Sequence, residues 1–282
     1  MSVIVLTSAT GVSDDDLKAA SDASGAVFAR LGDRGAEAVG DAAARARAAK
    51  ALPEADVNLV PRERREKRLL IADMDSTIIS VECIDEIADV AGVGEQVAGI
   101  TEAAMRGELD FEGALRARVA LLEGLEAARL EDVWRDRVRL NPGAETAVKT
   151  MAARGAVTAL VSGGFTFFAE RVAEAAGFGF AQANGLEVQD GRLTGRPIPP
   201  ILGREAKRAA LDRLCAEAGL SVEDALAVGD GANDLAMVEA AGLGVAYRAK
   251  PALAEAAEAR LDHSDLTALL FLQGLREADF AG

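Results

Sequence analysis

The stretch Leu69-Leu70-Ile71-Ala72-Asp73-Met74-Asp75-Ser76-Thr77 places two aspartates, one residue apart, directly after a run of four apolar residues. A short apolar run bounded by polar residues is typical of a buried strand. Farther along the chain, Gly229-Asp230-Gly231-Ala232-Asn233-Asp234 follows another apolar run, Ala225–Val228, and again carries two carboxylates. Two acidic loops that follow two strands can converge into one pocket. Because carboxylates repel one another there, by about 1–4 kcal/mol per pair at roughly 4 Å, the sequence predicts a pocket that binds a cation.

Four apolar runs separated by helical patterns indicate the architecture. Alternation of short strands with helices is typical of a parallel sheet covered on both faces. The strands are predicted at Leu69–Ala72, Val157–Val161, Ala225–Val228 and Leu243–Ala246. The predicted fold class is therefore α/β, with a Rossmann-like doubly wound parallel sheet. In such sheets ligands bind beyond the carboxyl ends of the strands, where Asp73, Ser162-Gly163-Gly164 and Asp230 all fall.

Three further segments lie outside this alternation. An insertion from about Glu82 to Leu140 has helical periodicity and is expected to cover the edge of the sheet as a helical cap. The dipeptide Asp190-Gly191, between two alternating runs, predicts a small β-hairpin. Residues 1–65 end in a charged linker that begins with proline, and they are predicted to form a short N-terminal α/β appendage of unknown role. The main domain is then expected to span residues 66–282.

Composition narrows the classes of protein to consider. The chain has 282 residues, is 50% hydrophobic and carries a net charge of −15. That charge disfavours a nucleic-acid partner, because such proteins usually neutralise phosphates with a basic face. No segment approaches the roughly 18 apolar residues of a membrane span, so we expect no membrane association and a cytoplasmic location. The oligomeric state cannot be predicted from these features.

Histidine and cysteine are too scarce for several kinds of active site. The chain has one histidine, His263, and two cysteines, Cys83 and Cys215, which lack metal-ligand spacing. A Ser-His-Asp triad, a Cys–His pair and a histidine-rich zinc site are therefore disfavoured. Catalysis would have to use carboxylates, hydroxyl groups, lysine or arginine.

The first acidic loop suits phosphoryl transfer. An ionised carboxylate that attacks phosphorus divides one difficult displacement into two easier ones. Asp73, the first acidic residue after the strand, fits the role of nucleophile, and Asp75 can face the same side as general acid and base. An Asp-x-Asp-Ser sequence also opens some calcium-binding loops, but the downstream glycine and bidentate glutamate of an EF-hand loop are missing.

Other segments supply candidate ligands for a metal ion and a phosphate group. Asp230 and Asp234 offer hard oxygen ligands of the kind that Mg²⁺ prefers. Ser162-Gly163-Gly164 offers a hydroxyl and unhindered N–H groups before a predicted helix, which suits phosphoryl oxygens. Lys207 can either place a positive charge beside the nucleophile and phosphate or be an ordinary solvated lysine, and the sequence favours neither interpretation.

Together, the motifs resemble those of the haloacid dehalogenase-like (HAD) phosphatase superfamily. They are Asp-Met-Asp-Ser-Thr at 73–77, Val-Ser-Gly-Gly-Phe at 161–165, the lysine at 207 and Gly-Asp-Gly-Ala-Asn-Asp at 229–234. Within that superfamily, the segment from about Lys67 to Leu272 is most similar to the phosphoserine phosphatases. The closer similarity rests on motifs of the predicted cap: Glu82-Cys83-Ile84-Asp85-Glu86, Met105, Asp110-Phe111-Glu112 and Leu115-Arg116-Ala117-Arg118-Val119.

The resemblance implies a role for individual residues. Asp73 would be the nucleophile that becomes aspartyl-phosphate, and Asp75 the general acid and base. Mg²⁺ would be held by Asp73, the backbone carbonyl of Asp75, and Asp230, with Asp234 in support. Residues that would bind the substrate are Glu82, Met105, Phe111, Arg118, Ser162, Gly163, Lys207 and Asn233. Among these, Glu82 would pair with the substrate ammonium and Arg118 with its carboxylate.

The expected function is hydrolysis of O-phospho-L-serine to L-serine and phosphate with Mg²⁺ as cofactor, the last step of L-serine biosynthesis. One alternative is a related phosphatase or phosphotransferase that acts on another small phosphomonoester, such as phosphohomoserine. A second alternative, from a different class, is a non-catalytic sensor of phosphoserine or of an amino acid. A cation pump with a similar aspartate is excluded, because no membrane span is predicted.

Overall fold

A computed structural model describes residues 1–106 and 108–281, except for the side chain of Met105. Across these residues the chain forms a four-stranded sheet and a seven-stranded sheet. None of the helices within the described ranges is both long and apolar enough to cross a membrane.

The four-stranded sheet lies at the N-terminus and carries two helices on one face. Its elements are β1 (Ser2–Thr7), α1 (Asp14–Ser24), β2 (Ala29–Arg30), β3 (Gly35–Val39), α2 (Ala42–Ala51) and β4 (Asp56–Pro61). The strands are antiparallel in the order β2-β3-β1-β4. Helix α1 begins with a capping box in which Ser13 and Asp16 exchange hydrogen bonds. Ile4 and Leu6 pack under the two helices, whereas Val3 and Val5 join the core of the larger sheet.

The seven-stranded sheet holds the rest of the strands. These are β5 (Leu69–Ala72), β6 (Val157–Phe165), β7 (Phe180–Gln189), β8 (Arg192–Ile198), β9 (Ala225–Gly229), β10 (Leu243–Tyr247) and β11 (Ala259–Leu261). Their order is β11-β10-β9-β5-β6-β7-β8, and every neighbouring pair is parallel except β7 with β8. The chain runs outward from β5 in one direction through β6 and β7, and in the other through β9, β10 and β11. The order therefore reverses beside β5, where ligands bind in such sheets.

Helices cover both faces of this sheet. They are α7 (Ala144–Ala153), α8 (Thr166–Ala176), α9 (Arg204–Glu217), α10 (Leu235–Ala240), α11 (Pro251–Ala256) and α12 (Ala268–Leu272). Side chains of β5 alternate between the two cores: Leu69 and Ile71 pack with α9 and α10, and Leu70 and Ala72 pack with α7 and α8. The predicted doubly wound α/β fold is confirmed.

The insertion after β5 is helical, as predicted. It contains α3 (Cys83–Ala91), α4 (Gly94–Met105), α5 (Phe111–Ala120) and α6 (Arg129–Arg137). The predicted β-hairpin is also present, because β7 and β8 pair on either side of Asp190 and Gly191. Both turn residues have positive φ, 51° and 76°, as a tight hairpin turn of this type requires. Sequence analysis missed the first half of β7, which pairs with β6 before the strand continues into the hairpin.

Polar side chains of β4 attach the N-terminal sheet to the edge of the larger one. Asn58 pairs with the backbone of Arg260 in β11: its amide donates to the carbonyl at 2.9 Å and its oxygen accepts from the N–H at 2.8 Å. Asp56 accepts hydrogen bonds from the backbone N–H groups of residues 262–264. Asn58 thus covers a sheet edge that would otherwise expose unpaired backbone groups.

An ion-pair network reinforces this attachment. Arg34, in the turn before β3, donates to Glu277 at 2.8 Å and to Asp265 at 2.7 Å, and both acceptors lie near the C-terminus. Partial burial acts against ionisation of Glu277, but hydrogen bonds from Arg34 and from the backbone of Asp33 lower its pKa overall. Both side chains are less than one third exposed, at 31% and 27%, so solvent screens the pair only in part.

We expect Glu277→Gln to lower the free energy of unfolding by about 1 kcal/mol at pH 7. The folded-state pKa of Glu277 is below its unfolded value, so its stabilisation is complete above the unfolded pKa and is lost as the pH falls through the folded pKa. The difference in the free energy of unfolding between Glu277→Gln and the native chain should therefore shrink below about pH 4.3. Urea denaturation over a pH series measures it.

Glu145→Gln is a matched control, since Glu145 pairs with Lys149 on an exposed helix surface. That variant should differ from the native chain by less than about 0.5 kcal/mol. Equal losses of stability in both variants would contradict a stabilising role for the pair of Arg34 and Glu277. A destabilisation by Glu277→Gln that grows at acid pH would contradict it as well.

Candidate active site

The two predicted acidic loops meet at the carboxyl edge of the larger sheet, beside β5. Asp73 directly follows β5, and its Oδ1 accepts the N–H of Met74 at 2.8 Å. The chain then turns sharply through Ser76, whose φ of 56° lies in the left-handed region. The buried Asp75 lines the same cavity as Asp73.

Lys207 lies between the two acidic loops. It projects from the first turn of α9, is 2% exposed, and its Nζ is 2.7 Å from Asp73 Oδ1 and 2.6 Å from Asp234 Oδ1. Burial alone would lower the pKa of the ammonium, but the charges of Asp73 and Asp234 raise it overall. Lys207 is therefore a buried cation that holds the two loops together, and the solvated-lysine interpretation is wrong.

Asp234 organises the second loop. Its Oδ2 accepts the backbone N–H groups of Asp230 at 3.2 Å and Gly231 at 3.1 Å, while its Oδ1 is bound to Lys207. A Cβ atom on Gly229 would overlap the Asp234 carboxylate, so the turn needs glycine there. Both carboxylate oxygens of Asp234 are already occupied, which suits a residue that supports a metal site.

Asp75 has the environment of a general acid and base. Its Oδ1 accepts the N–H of Cys83 at 2.9 Å, and its Oδ2 accepts the Ser162 hydroxyl at 3.3 Å. Burial, followed by the negative charge of Glu82, raises the pKa of Asp75 to about 7. A carboxyl group with a pKa near neutrality can both donate and accept a proton under ordinary conditions.

The glycine pair after Ser162 allows close approach on both sides of the chain. A Cβ atom on Gly163 would lie 2.9 Å from the ring of Phe111, and one on Gly164 would overlap Asp75 Oδ2. The Ser162 hydroxyl accepts the N–H of Gly164 at 2.8 Å, and Asn184 donates to the Gly163 carbonyl at 2.8 Å. These bonds fix a loop that can present polar groups to an anion.

The helical cap adds two residues of opposite charge. Glu82 is the N-cap residue of α3, and its carboxylate accepts the Ser76 hydroxyl at 2.7 Å. Arg118, on α5, donates to the Ala114 carbonyl at 3.3 Å and also lies near Asp85. Both Glu82 and Arg118 line the cavity of about 550 Å³ that contains Asp73 and Asp75.

Most of the predicted site residues come together in this cavity. Those that line it are Asp73, Asp75, Glu82, Phe111, Arg118, Ser162, Gly163, Asp230 and Asn233. Lys207 and Asp234 are buried next to Asp73. The prediction for Met105 concerns a side chain outside the described part of the structure.

The carboxylates have a donor set that fits a hard divalent cation. Ligand oxygens of Asp73, Asp230 and Asp234 lie within 4.8 Å of one another, and all three residues are buried. Carboxylate oxygens grouped in this way suit Mg²⁺, which is usually held by one or two carboxylates together with water and phosphate oxygens. Because Asp234 is bound to Lys207 and to backbone N–H groups, the freer oxygens are those of Asp230 and Oδ2 of Asp73, with contacts of 3.5 Å and 3.4 Å.

Sequence analysis assigned no role to four residues with polar side chains that line the cavity. They are Thr101, Asp110, Arg204 and Lys250. Lys250 follows the end of β10, so the rule that ligands bind at the carboxyl ends of strands could have identified it. Thr101 and Asp110 belong to the cap. Asp110 lies in one of the cap motifs quoted above, whereas the sequence contains no comparable signal at Thr101.

Comparison with known proteins places the chain in a family. Residues 70–239 match the haloacid dehalogenase-like hydrolase family. A phosphoserine phosphatase of Polaromonas sp. is 49% identical over 73% of this chain and 89% of that protein. A phosphoserine phosphatase of Streptomyces coelicolor is also 49% identical, over 75% of this chain but only 52% of that longer protein. This chain therefore belongs to the haloacid dehalogenase-like hydrolases.

A solved structure extends the similarity to almost the whole chain. The unliganded form of a probable phosphoserine phosphatase from Vibrio cholerae superimposes with a TM-score of 0.83 at 34% identity. The superposition covers 97% of this chain and 86% of that one. It therefore includes the N-terminal sheet.

We expect Gly164→Ala to reduce the rate of hydrolysis of an aryl phosphate by about 100-fold, because the added methyl group displaces Asp75. Misplacement of a catalytic group by about 1 Å can lower the rate by that factor. Gly99→Ala is the matched control, since a Cβ atom at Gly99, within α4, meets no atom within 4 Å. Rates of phosphate release from both variants and the native chain provide the measurement. Native-like activity in Gly164→Ala would show that the contact between Gly164 and Asp75 does not constrain catalysis.

Proposed function

We propose that this chain is a magnesium-dependent phosphomonoesterase that hydrolyses O-phospho-L-serine to L-serine and phosphate through an aspartyl-phosphate on Asp73. One observation carries the proposal: Glu82 and Arg118 line the same cavity as the acidic pair Asp73 and Asp75. A nucleophile alone would suit any phosphomonoester. The two cap residues of opposite charge match the two remaining charges of phosphoserine.

Recognition of the serine moiety follows from charge and geometry. Arg118 can grip a carboxylate with two parallel hydrogen bonds, which a lysine cannot do. The carboxylate of Glu82 would pair with the substrate ammonium, and the Ser76 hydroxyl holds that carboxylate in place. Burial raises the pKa of Glu82, and a bound ammonium would favour its ionised form.

In the first step, a carboxylate oxygen of Asp73 attacks phosphorus and the bond between phosphorus and the serine oxygen breaks. Asp75 donates its proton to the departing serine oxygen, so that L-serine leaves as a neutral alcohol and Asp75 becomes ionised. Lys207 lies against Asp73 and would place a positive charge beside the nucleophile and the phosphoryl group during the attack. The loop at Ser162 and Gly163 would bind the phosphoryl oxygens.

In the second step, water attacks phosphorus and the bond between phosphorus and the Asp73 oxygen breaks. Asp75, now ionised, accepts a proton from that water, and phosphate is released. Both steps use Asp75 in opposite directions, which a pKa of about 7 permits. The backbone N–H of Cys83 and the Ser162 hydroxyl keep the Asp75 carboxylate aimed at the reacting atoms.

Asp73, Asp230 and the backbone carbonyl of Asp75 would hold Mg²⁺, with Asp234 and Asn233 in support. The ion would neutralise the negative charge that gathers where an anionic phosphate meets several carboxylates. Asp234 fixes the loop of Asp230 through its two backbone hydrogen bonds. Asn233 donates to Asp73 Oδ2 at 3.4 Å.

The biological setting belongs to the same proposal. The relatives from Polaromonas and Streptomyces are phosphoserine phosphatases, which supports a role in the last step of L-serine biosynthesis. That pathway, together with two buried cysteines that form no disulfide, favours the cytoplasm.

Release of inorganic phosphate from O-phospho-L-serine tests the proposal. We expect turnover that requires Mg²⁺, exceeds that of other small phosphomonoesters such as phosphohomoserine, and is abolished in Asp73→Asn while the fold is retained by circular dichroism. Turnover of other esters in preference to phosphoserine would overturn the substrate. Binding of phosphoserine without any release of phosphate would favour a sensor.

We expect Arg118→Ala to raise KM for phosphoserine about 100-fold, in line with the loss of a charge-assisted bidentate contact. Turnover of an aryl phosphate, which has no carboxylate, should remain within about 3-fold because the phosphoryl site is intact. Steady-state kinetics on both substrates measure the difference.

Arg116→Ala is the matched control, because Arg116 lies on the same helix but pairs with Glu112 on the exposed surface. It should leave both substrates unaffected. Equal losses on the two substrates in Arg118→Ala would contradict the role of Arg118 in carboxylate binding.

A further inference from the structure

We propose that Lys250 is a substrate-binding residue that attracts the phosphoryl dianion into the cavity and holds it on the side of Asp230. No motif of the sequence pointed to this residue. The inference rests on the proposed function, since it concerns how an anionic phosphomonoester reaches the same site. Lys250 would be a second positively charged residue for the phosphoryl group, in addition to Lys207. It occupies a different position, at the rim of the cavity, and acts on substrate entry.

The backbone of Lys250 is fixed at the rim of the site. The residue is the N-cap of α11, three positions after the end of β10, and Pro251 follows it. Its N–H donates to the backbone carbonyl of Asp230 at 2.8 Å, which ties the rim directly to the second acidic loop. The side chain therefore starts from a defined point, although 60% of it is exposed.

The ammonium group of Lys250 has a weak partner. Its Nζ lies 3.5 Å from Asp230 Oδ2, longer than the 2.7 Å and 2.6 Å contacts that hold Lys207. Lys207 is buried and bound to two carboxylates, whereas the ammonium of Lys250 is on a flexible, largely exposed four-carbon side chain with one long contact. Lys250 can therefore turn from Asp230 to an incoming phosphoryl oxygen.

The charge balance of the cavity creates the need for such a cation. Among the described residues, five carboxyl groups line it, of which Asp75 would be protonated before the attack, and three cations do; the whole chain carries a net charge of −15. The carboxyl groups are those of Asp73, Asp75, Glu82, Asp110 and Asp230, and the cations are Arg118, Arg204 and Lys250. A phosphomonoester dianion must enter against this excess of negative charge, which slows association unless a local positive charge opposes it.

The field of Lys250 extends over both walls of the cavity. Lys250 lines the same cavity as Glu82 and Asp230, and its Nζ lies 3.5 Å from Asp230 Oδ2. Glu82 belongs to the cap and Asp230 to the sheet edge, so Lys250 shares the cavity with groups from both. Arg118 is expected to bind the substrate carboxylate. Of the other two cations, Arg204 begins α9, whereas Lys250 contacts Asp230 and is the rim cation next to that loop.

Lys250→Gln tests this assignment by steady-state kinetics on phosphoserine and on an aryl phosphate, both of which carry the phosphoryl dianion. We expect KM to rise about 10-fold for both substrates at low ionic strength, with a small change in kcat. The effect should fall to about 2-fold near 0.5 M salt, where charges are screened within a few ångströms. An effect on both substrates distinguishes Lys250 from Arg118, which should affect phosphoserine alone.

Two further variants separate local charge from other causes. Lys250→Arg keeps the charge and should stay within about 3-fold of the native KM. Lys18→Gln makes the same change in net charge on the exposed surface of α1 and should leave KM unchanged. The Mg²⁺ concentration that gives half-maximal activity is measured for each variant.

The outcomes separate this inference from the proposed function. Three results for Lys250→Gln would overturn the inference and assign Lys250 to holding Asp230. They are an unchanged KM, a rise in KM that is insensitive to salt, and a defect only in kcat or in the Mg²⁺ requirement. A Lys250→Arg variant as defective as Lys250→Gln would overturn it too. If the native chain hydrolyses the aryl phosphate but not phosphoserine, phosphoserine is not its substrate. The role of Lys250 is then still tested by KM for the aryl phosphate.

Discussion

The buried ammonium of Lys207, between the carboxylates of Asp73 and Asp234, is the interaction on which the site depends. It joins a residue at the end of β5 to one that follows β9, through a helix that begins after the β-hairpin. A buried ion pair contributes little net stability, but removal of one partner leaves an uncompensated charge and costs about 3–5 kcal/mol. Lys207 therefore fixes the relative position of the two acidic loops and places a positive charge against Asp73.

The two parts of the site divide the work of catalysis and recognition. The edge of the parallel sheet supplies the groups that would perform phosphoryl transfer, and the helical cap supplies Glu82 and Arg118, which would select the substrate. The backbone N–H of Cys83, in the first turn of α3, links these parts because it donates to Asp75 at 2.9 Å. Specificity can therefore change through the cap while the chemistry at the sheet edge is retained.

The sequence predicted the strands and loops that carry local signals. The strands β5, β9 and β10 are apolar runs, and the acidic loops follow the first two directly. Strand β3, Gly35–Val39, and the first half of β7 were missed because they are rich in alanine and glycine, which have low strand propensity. Their pairing is imposed by tertiary contacts; Gly35, for example, lies so close to the ring of Phe271 that a side chain would not fit. The role of Lys207 also depended on contacts between distant segments, so the sequence left it undecided.

The central claim is that Asp73 forms a covalent bond to phosphorus, and chemical trapping of the acyl phosphate tests it most directly. Acid quenching during turnover of phosphoserine, followed by borohydride reduction, converts an aspartyl-phosphate into homoserine, which peptide mass spectrometry can locate. The account predicts homoserine at position 73, dependent on substrate and lost in Asp73→Asn. Homoserine at position 75, or unmodified aspartate at both positions with turnover under way, would contradict it.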